Sequence, residues 1–487
     1  MSASLTRFAG ALVGVAIWGL AGLLTFLSLS WSPVTDSPPV RYVARGILNG
    51  AVPYRDYFDT NFPGTYLVYM AGLAALGTSD GAFRAMDLLV LVGIAAGVFV
   101  IVAPSGKLPA AIAAGLFAVH HVAGGPESAM ERDYLMCLPL VWATAATLEY
   151  MQSRQTVFLM GAGIALGFAL TIKPHALILA GGLAVASILS QGTARAGAMA
   201  AAVTLASIGL PVVGVVLWLG LAGGLGPFVD IVVGYLLPLY SKLGRAPMRE
   251  LLLFYPRRYL AIRMLVASGL LALWWTRRWD RRATVLACGL VYGWLHFFVQ
   301  GQGNHYHTYP LVLYSVAVAG IGLGAAFSSG APWLAVAQLG LAIGTAAVSS
   351  YLGLHPTRYA EDAGKVTRQL VAELAPIVKP GDRVQVFETT AGGIRMLELL
   401  EIQQPTRFIY DFPLFHDVTS PYVQRLRREV LMGLDRHPPR AVVVYEYGWP
   451  AGDYSRVETF PELKAWLEAH CETITRQASY RICHVKR

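Results

Sequence analysis

Three carboxylates and three arginines lie close together between positions 36 and 66. The carboxylates are Asp36, Asp56 and Asp59, and the arginines are Arg41, Arg45 and Arg55. Such a set suits transfer of a group from a phosphate leaving group to a hydroxyl or an amine. One carboxylate takes the acceptor's proton, and cations neutralise the leaving phosphate. We predict Asp36 as the base, the other two carboxylates as further catalytic candidates, and the arginines as phosphate ligands.

Each of these residues also has a structural interpretation. Asp36 would cap a following helix. Arg41 and Arg45 are four residues apart and share one helix face, so they could pair with nearby acids instead of a phosphate. Asp56 and Asp59 could pair with the neighbouring arginine and cap the next short helix. The sequence leaves these alternatives open.

Other loops contribute further candidate site residues. They are Tyr54 in the second acidic cluster (residues 54–59), Glu131 and Arg132 in the loop 120–133, Lys173 between two apolar runs, Arg245, Arg249 and Arg258 in the loop 222–259, and His305 and His307 just before position 310. We predict the lysine and the three arginines of the loop 222–259 as ligands of a lipid-linked phosphate, and the others as substrate contacts. The lysine could instead extend to the membrane interface, and the arginines could attract anionic headgroups. The residues around His305 and His307 could belong to an interfacial aromatic belt.

The strongest metal-binding signal is the adjacent pair His120 and His121. Adjacent histidines without a third ligand at a distinctive spacing are weak evidence for a metal site. We therefore assign no metal-binding residue and no certain cofactor, and a divalent metal remains an alternative.

The composition indicates that these loops connect membrane helices. Of the 487 residues, 55% are hydrophobic and only 14% are charged, whereas soluble domains carry about 25% charged residues. The formal net charge is +9, but no run of Lys or Arg is long enough to predict a nucleic-acid partner. We predict a polytopic α-helical membrane protein.

About eleven apolar runs are candidates for membrane spans. They lie at 9–29, 83–103, 107–122, 134–151, 157–172, 176–189, 198–221, 260–275, 283–299, 310–327 and 332–352. The stretch 66–77 is too short to span and is expected to lie in the interface. Because successive spans alternate in direction, every loop with candidate site residues lies on one side of the membrane.

The charge pattern of the short loops predicts which side that is. Lys107, Arg154, Arg195 and the cluster 277–282 occupy the short loops on the opposite side, and short cationic loops are typically cytoplasmic. We predict a multi-pass protein of the inner, or plasma, membrane. Its amino terminus would be cytoplasmic, and the candidate loops and the tail would be extracytoplasmic.

The polar tail predicts a separate domain, so we divide the chain into 1–354 and 355–487. Helices are expected at 359–378, 393–400, 421–436 and 460–470, and strands at 383–388, 406–410, 441–446 and in two short segments near the carboxyl end. Alternating strands and helices indicate a small α/β domain with a mainly parallel sheet. Cys471 and Cys483 could form a disulfide if the domain faces an oxidising compartment.

These residues together resemble the GT-C superfamily of membrane glycosyltransferases, near the family-39 branch of protein O-mannosyltransferases and the lipid A aminoarabinose transferase. The resemblance is carried by Asp36, by RYVARGILNGAVPYRDYFDTNFPGTYL at 41–67, by Arg84 and Asp87, by Lys173-Pro174 and by QGQGNHYHTYP at 300–310. It covers roughly residues 5–330.

The resemblance implies a polyprenyl- or dolichyl-phosphate sugar donor, a glycan, lipid or protein acceptor, and transfer with inversion at an extracytoplasmic site with Asp36 as base. Ser37 stands where relatives often have a second acid. Asn61-Phe62-Pro63 stands where many have Lys-Pro-Pro. The missing lysine shifts the expected phosphate contact to Lys173 and the arginines between 245 and 258.

Two other functions remain as alternatives. A transporter or flippase of lipid-linked saccharides would show internal repeats and broken helices in both halves, and no repeat is evident between residues 1–180 and 180–352. A non-catalytic assembly protein would tolerate replacement of Asp36.

Overall fold

The computed structural model describes residues 3–253, 260–329, 331–354, 358–449 and 452–486. Each of the eleven predicted spans contains a helix. These helices are Ala3–Leu27, Asp80–Val102, Lys107–Ala123, Arg132–Ser153, Thr156–Ile172, Ala176–Leu189, Ala194–Leu221, Leu260–Trp275, Arg281–Gln300, Tyr309–Ser328 and Pro332–Leu354. The protein is therefore a mostly helical, multi-span membrane protein, as predicted.

Within the described ranges, six helical runs are long and apolar enough to cross a bilayer by themselves. They are Ser4–Ser30, Asp80–Ser105, Ala194–Leu221, Arg281–Gln300, His305–Ser328 and Pro332–Tyr351. Four of the other predicted spans are shorter apolar helices of 14 to 17 residues. The remaining helix, Arg132–Ser153, has 22 residues but carries Asp133 and Glu149. That these five helices also cross the membrane stays a prediction.

The connections contain shorter helices. They are Ser37–Leu48, Pro63–Leu76, Leu225–Ile231 and Met248–Leu253, with a π-helical turn at Val232–Leu236 and 3₁₀ turns at Ser28–Ser30, Ala103–Ser105, Pro126–Ser128, Tyr240–Lys242 and His305–Thr308. The helix Ser37–Leu48 begins with two prolines, which suit a first turn because its N–H groups have no intrahelical acceptor. It packs on Pro63–Leu76 on one side and on the carboxyl-terminal domain on the other.

The helix Tyr309–Ser328 forms the centre of the membrane domain, because nearly all of its residues are buried. It packs against Lys107–Ala123, Leu260–Trp275 and Arg281–Gln300. A Cβ placed on Gly322 would lie 2.5 Å from the Cα of Gly269, so the two backbones touch. Small residues at a helix crossing allow this approach in lipid.

The carboxyl-terminal domain contains a four-stranded sheet in the order β1-β2-β4-β3. The strands are β1 Val384–Phe387, β2 Ala441–Tyr445, β3 Cys471–Arg476 and β4 Tyr480–Val485, and the helices are Arg358–Leu374, Gly393–Leu399, Phe412–Phe415, Pro421–Arg436 and Pro461–His470, with a 3₁₀ turn at Tyr454–Thr459. The predicted division between residues 354 and 355 borders positions outside the described residues and stays a prediction.

The sheet differs from the prediction in two respects. Only β1 and β2 are parallel, whereas β4 is antiparallel to both β2 and β3. A three-residue link joins β3 to β4, and so short a link can join only antiparallel neighbours. The predicted strand 406–410 is also wrong: this segment lies along the first loop, where the Phe58 N–H donates to the Arg407 carbonyl oxygen at 2.7 Å.

The disulfide that the sequence left open is present. Cys471 on β3 and Cys483 on β4 are bonded, with their Cα atoms 5.3 Å apart. The bond crosslinks the edge strand of the sheet to its neighbour.

Candidate active site

A polar cavity of about 290 Å³ lies where the first loop, three other loops of the membrane domain and the carboxyl-terminal domain meet. Its polar lining includes Asp36, Asp59, Asn61, Glu131, Arg132 and His305, and its aromatic lining comprises Tyr240, Tyr306, Tyr410, Phe412, Tyr447 and Trp449. The cavity thus brings together predicted site residues from three separate parts of the sequence.

Asp36 ends the turn before the helix Ser37–Leu48 and faces the cavity. Arg132 donates to its Oδ2 at 2.8 Å, and 25% of the Asp36 side chain remains exposed. The preceding Thr35 has a φ of 55°, which is rare for a β-branched residue. A carboxylate that is held by one cation and still open to a cavity can accept a proton from a ligand.

Asp59 has a different environment, because its two oxygens are already bonded. The backbone and side-chain N–H groups of Asn61 donate to it at 2.9 to 3.0 Å, and the Tyr66 hydroxyl also donates to it. Burial raises the pKa of Asp59. Asn61 in turn accepts a bond from Arg132. Asp59 therefore holds Asn61 in place, and Asn61 in turn holds Arg132.

Glu131 lies in the cavity wall beside Arg132 and is 3% exposed. Burial, followed by the negative charge of Asp36, raises its pKa well above the ordinary value. Its Oε2 is buried without a hydrogen-bond partner among the described residues. A buried, unsatisfied carboxyl oxygen is costly.

Lys173 lies behind this wall and not in it. Its Nζ is 2.6 Å from Asp133 Oδ2 and 2.5 Å from Gln300 Oε1. Asp133 is fully buried and also contacts His296 at 2.5 Å. A buried acid in a membrane domain needs a cationic partner. The pairing with Asp133 thus explains why Lys173 stands alone between two apolar runs.

Of the other predicted substrate contacts, one lines the cavity and two are buried. His305 lines the cavity. His307 is buried, and its Nδ1 has no hydrogen-bond partner among the described residues. Tyr54 is buried beneath the loop, where its hydroxyl donates to the Asn61 carbonyl oxygen at 2.7 Å.

The arginines of the first loop do not line the cavity. Arg41 pairs with Glu398 at 2.8 Å, and Arg45 pairs with Glu401 at 2.5 Å. Both partners belong to the carboxyl-terminal domain. These two arginines thus pair with acids, but with acids of the other domain instead of those of the first loop, and they hold the two parts of the chain together.

The second acidic cluster is divided between two places. Arg55 pairs with Asp56 at 2.8 Å, which lowers the pKa of Asp56 through their hydrogen bond. Both residues line a separate groove of about 600 Å³ between the first loop and the carboxyl-terminal domain. Of the two later carboxylates, only Asp59 borders the cavity of Asp36.

The predicted arginines of the loop 222–259 lie towards the surface. Arg245 is exposed, and it lies against Gly301, whose added Cβ would be 2.7 Å from Arg245 Nη2. Gln302, the next residue, lines the cavity. Arg249 is also exposed, and Arg258 lies outside the described residues.

His121 has both ring nitrogens engaged, one near Asp87 at 3.0 Å and one near the Tyr309 hydroxyl at 2.8 Å. Among the described residues there is no group of three or more His, Cys, Asp or Glu side chains placed to hold a metal ion.

Several residues that build the site were not predicted. They are Asn61, Tyr66, His296, Gln300, Tyr410, Tyr447 and Trp449. Asn61 had a signal, because it stands where many relatives have the lysine. The aromatic residues of the carboxyl-terminal domain had none, since nothing local in the sequence shows that they face Asp36.

Comparison with known proteins supports the fold. No protein family and no curated protein matches the chain. Among solved structures, ArnT from Cupriavidus metallidurans bound to undecaprenyl phosphate superposes with a TM-score of 0.61 and 12% identity, covering 96% of this chain and 97% of that chain. Its apo state gives a TM-score of 0.59 and 13% identity over the same shares. The predicted fold, a mostly helical multi-span membrane domain followed by a carboxyl-terminal domain with a small sheet, is confirmed, and it resembles the fold of ArnT.

Proposed function

We propose that this protein is a membrane glycosyltransferase that moves a sugar from a polyprenyl-phosphate carrier to a glycan, lipid or protein acceptor. The observation that carries the proposal is the cavity in which Asp36 is held by Arg132 and remains open. A likeness in fold to a protein solved with undecaprenyl phosphate is consistent with a lipid-linked donor, but the proposal rests on the cavity.

Three neighbouring cavities that share lining residues are the proposed path for the lipid. His305 borders both the polar cavity and a smaller one, and Ile262 borders the smaller one and an apolar groove of about 230 Å³. The groove is lined mainly by apolar residues of Leu260–Trp275, Arg281–Gln300 and Tyr309–Ser328. We place the isoprenoid tail in the groove, the phosphate near His305 and the sugar in the polar cavity.

The reaction then follows from the residues. Asp36 takes the proton of the acceptor hydroxyl or amine, and the acceptor atom attacks C1 of the sugar from the face opposite the phosphate. The C1–O bond breaks, its electron pair stays on the polyprenyl phosphate, and the configuration at C1 inverts. Arg132 orients the base, and Asp59 with Asn61 orients Arg132. Arg245, which lies against Gly301 at the start of the loop 301–305, is the proposed cation for the leaving phosphate.

The proposal is tested by donor turnover. The purified protein in nanodiscs receives a panel of radiolabelled polyprenyl-phosphate sugars with a membrane extract as acceptor. We expect one donor to be converted to polyprenyl phosphate, with its label in a new product. If no donor is consumed, but labelled lipid crosses the bilayer of reconstituted vesicles, the transporter alternative replaces this proposal.

We propose further that the cavity and the carboxyl-terminal domain are extracytoplasmic, since the Cys471–Cys483 disulfide suits an oxidising compartment. Ser455 is exposed on that domain. In a Cys288→Ala background, a Ser455→Cys variant is expected to react with an impermeant maleimide in intact spheroplasts. A Gly192→Cys variant, in a predicted cytoplasmic loop, should react only after lysis. The reverse pattern would contradict the orientation.

A further inference from the structure

The carboxyl-terminal domain contributes one wall of the polar cavity. Thr390 follows β1, and Tyr447 and Trp449 follow β2. Together with Phe412 they line the cavity, and we call these four residues the strand-end wall. β1 and β2 are parallel, and the crevice at the carboxyl ends of parallel strands is where α/β sheets generally bind ligands.

The chemistry of the strand-end wall suits a saccharide. The rings of Phe412 and Trp449 are 5.5 Å apart at 84°, and Trp449 also meets Tyr240 at 6.2 Å. Tyr447 is 51% exposed. Aromatic faces bury the C–H face of a pyranose ring, and a few fixed polar groups bind its hydroxyls. The wall offers both, because Thr390 and Tyr447 carry hydroxyl groups.

The backbone at the cavity is held in an unusual conformation. Thr35 and Thr390, with φ of 55° and 58°, are the two β-branched residues with positive φ in the described ranges, and both line the cavity. The loop after β1 is fixed by Glu388, which accepts the N–H groups of Ala391 and Gly393 at 2.9 Å. Strained residues that surrounding contacts enforce are concentrated at functional sites.

We propose that the strand-end wall binds a saccharide unit of the acceptor, which makes the acceptor a glycan or a glycolipid. This inference rests on the proposed glycosyltransferase function. In the proposed function the donor enters from the membrane domain at His305, so the strand-end wall, which comes from the carboxyl-terminal domain, is left for the second substrate. An acceptor sugar packed on Tyr447 and Trp449 would present its hydroxyl to Asp36 across the cavity.

The test separates the two substrates. With the donor that wild type consumes and a total extract of membrane glycolipids as acceptor, Tyr447→Ala is expected to raise the extract concentration for half-maximal transfer at least tenfold. The half-saturating donor concentration and the maximal rate should stay within twofold. Tyr447→Phe should give an intermediate shift. Ile474→Ala, at an exposed position on β3, should change nothing.

Each other outcome counts against the inference. The inference would be overturned if both Tyr447→Ala and Trp449→Phe kept the wild-type half-saturating acceptor concentration. It would also be overturned if only the half-saturating donor concentration rose, because the wall would then bind the donor sugar. A wild type that consumes no donor would overturn the proposed function itself. Tyr447 is exposed, so its substitution should leave the melting temperature unchanged.

Discussion

Replacing Asp36 by asparagine is expected to lower the maximal rate of sugar transfer by about 10² to 10⁴-fold, the usual contribution of a general base. Asparagine keeps the shape of the side chain and an oxygen for Arg132, so the cavity should persist. Donor binding should therefore change little. Transfer rate and donor half-saturation, measured on the same preparation, check both parts of this result.

Asp56→Asn is the matched control. Asp56 belongs to the same loop, but it lines a different groove and pairs with Arg55. This variant should keep transfer within about twofold, as expected for a surface ion pair. Loss of transfer in Asp56→Asn with normal transfer in Asp36→Asn would move the base to the other groove and contradict the account of the cavity.

Replacing Arg132 by glutamine is expected to have the second-largest effect, a loss of about 10²-fold in maximal rate. Arg132 contacts both Asp36 and Asn61, and displacement of a catalytic group by about 1 Å can cost that much. Its loss also leaves the charge of Asp36 beside the buried Glu131 without compensation. Arg132→Lys keeps the charge but not the two-pronged contact, so it should recover part of the rate.

The control for Arg132 is Arg45→Gln, which removes a half-exposed arginine that pairs with Glu401. It should retain wild-type transfer. A melting-temperature measurement on each variant separates loss of folding from loss of rate. A folded Arg132→Gln protein with normal transfer would show that Arg132 does not orient the base.

The sequence predicted well what depends on local pattern. Apolar runs located the long helices of the membrane domain within the described ranges. In the carboxyl-terminal domain, the helix 421–436 was predicted with the bounds that the structure shows. These features follow from composition and periodicity, which a short window of sequence contains.

The partners of charged residues could not be predicted, because they are distant in sequence. Arg45 and its partner Glu401 are 356 residues apart, so the face shared by Arg41 and Arg45 fitted a phosphate equally well. Asp59 resembled Asp36 as a candidate until Tyr66 and Asn61 were seen to occupy its oxygens. The segment 406–410 has the composition of a strand, but it pairs with the first loop instead of the sheet.

A cryo-EM structure of the Asp36→Asn protein with the polyprenyl-phosphate sugar that wild type consumes tests the position of the active site most directly. We predict the sugar in the polar cavity, with C1 facing position 36, the phosphate near His305 and the tail in the groove that begins at Ile262. A phosphate bound instead in the groove of Arg55 and Asp56, or a sugar remote from position 36, would contradict the assignment of the active site.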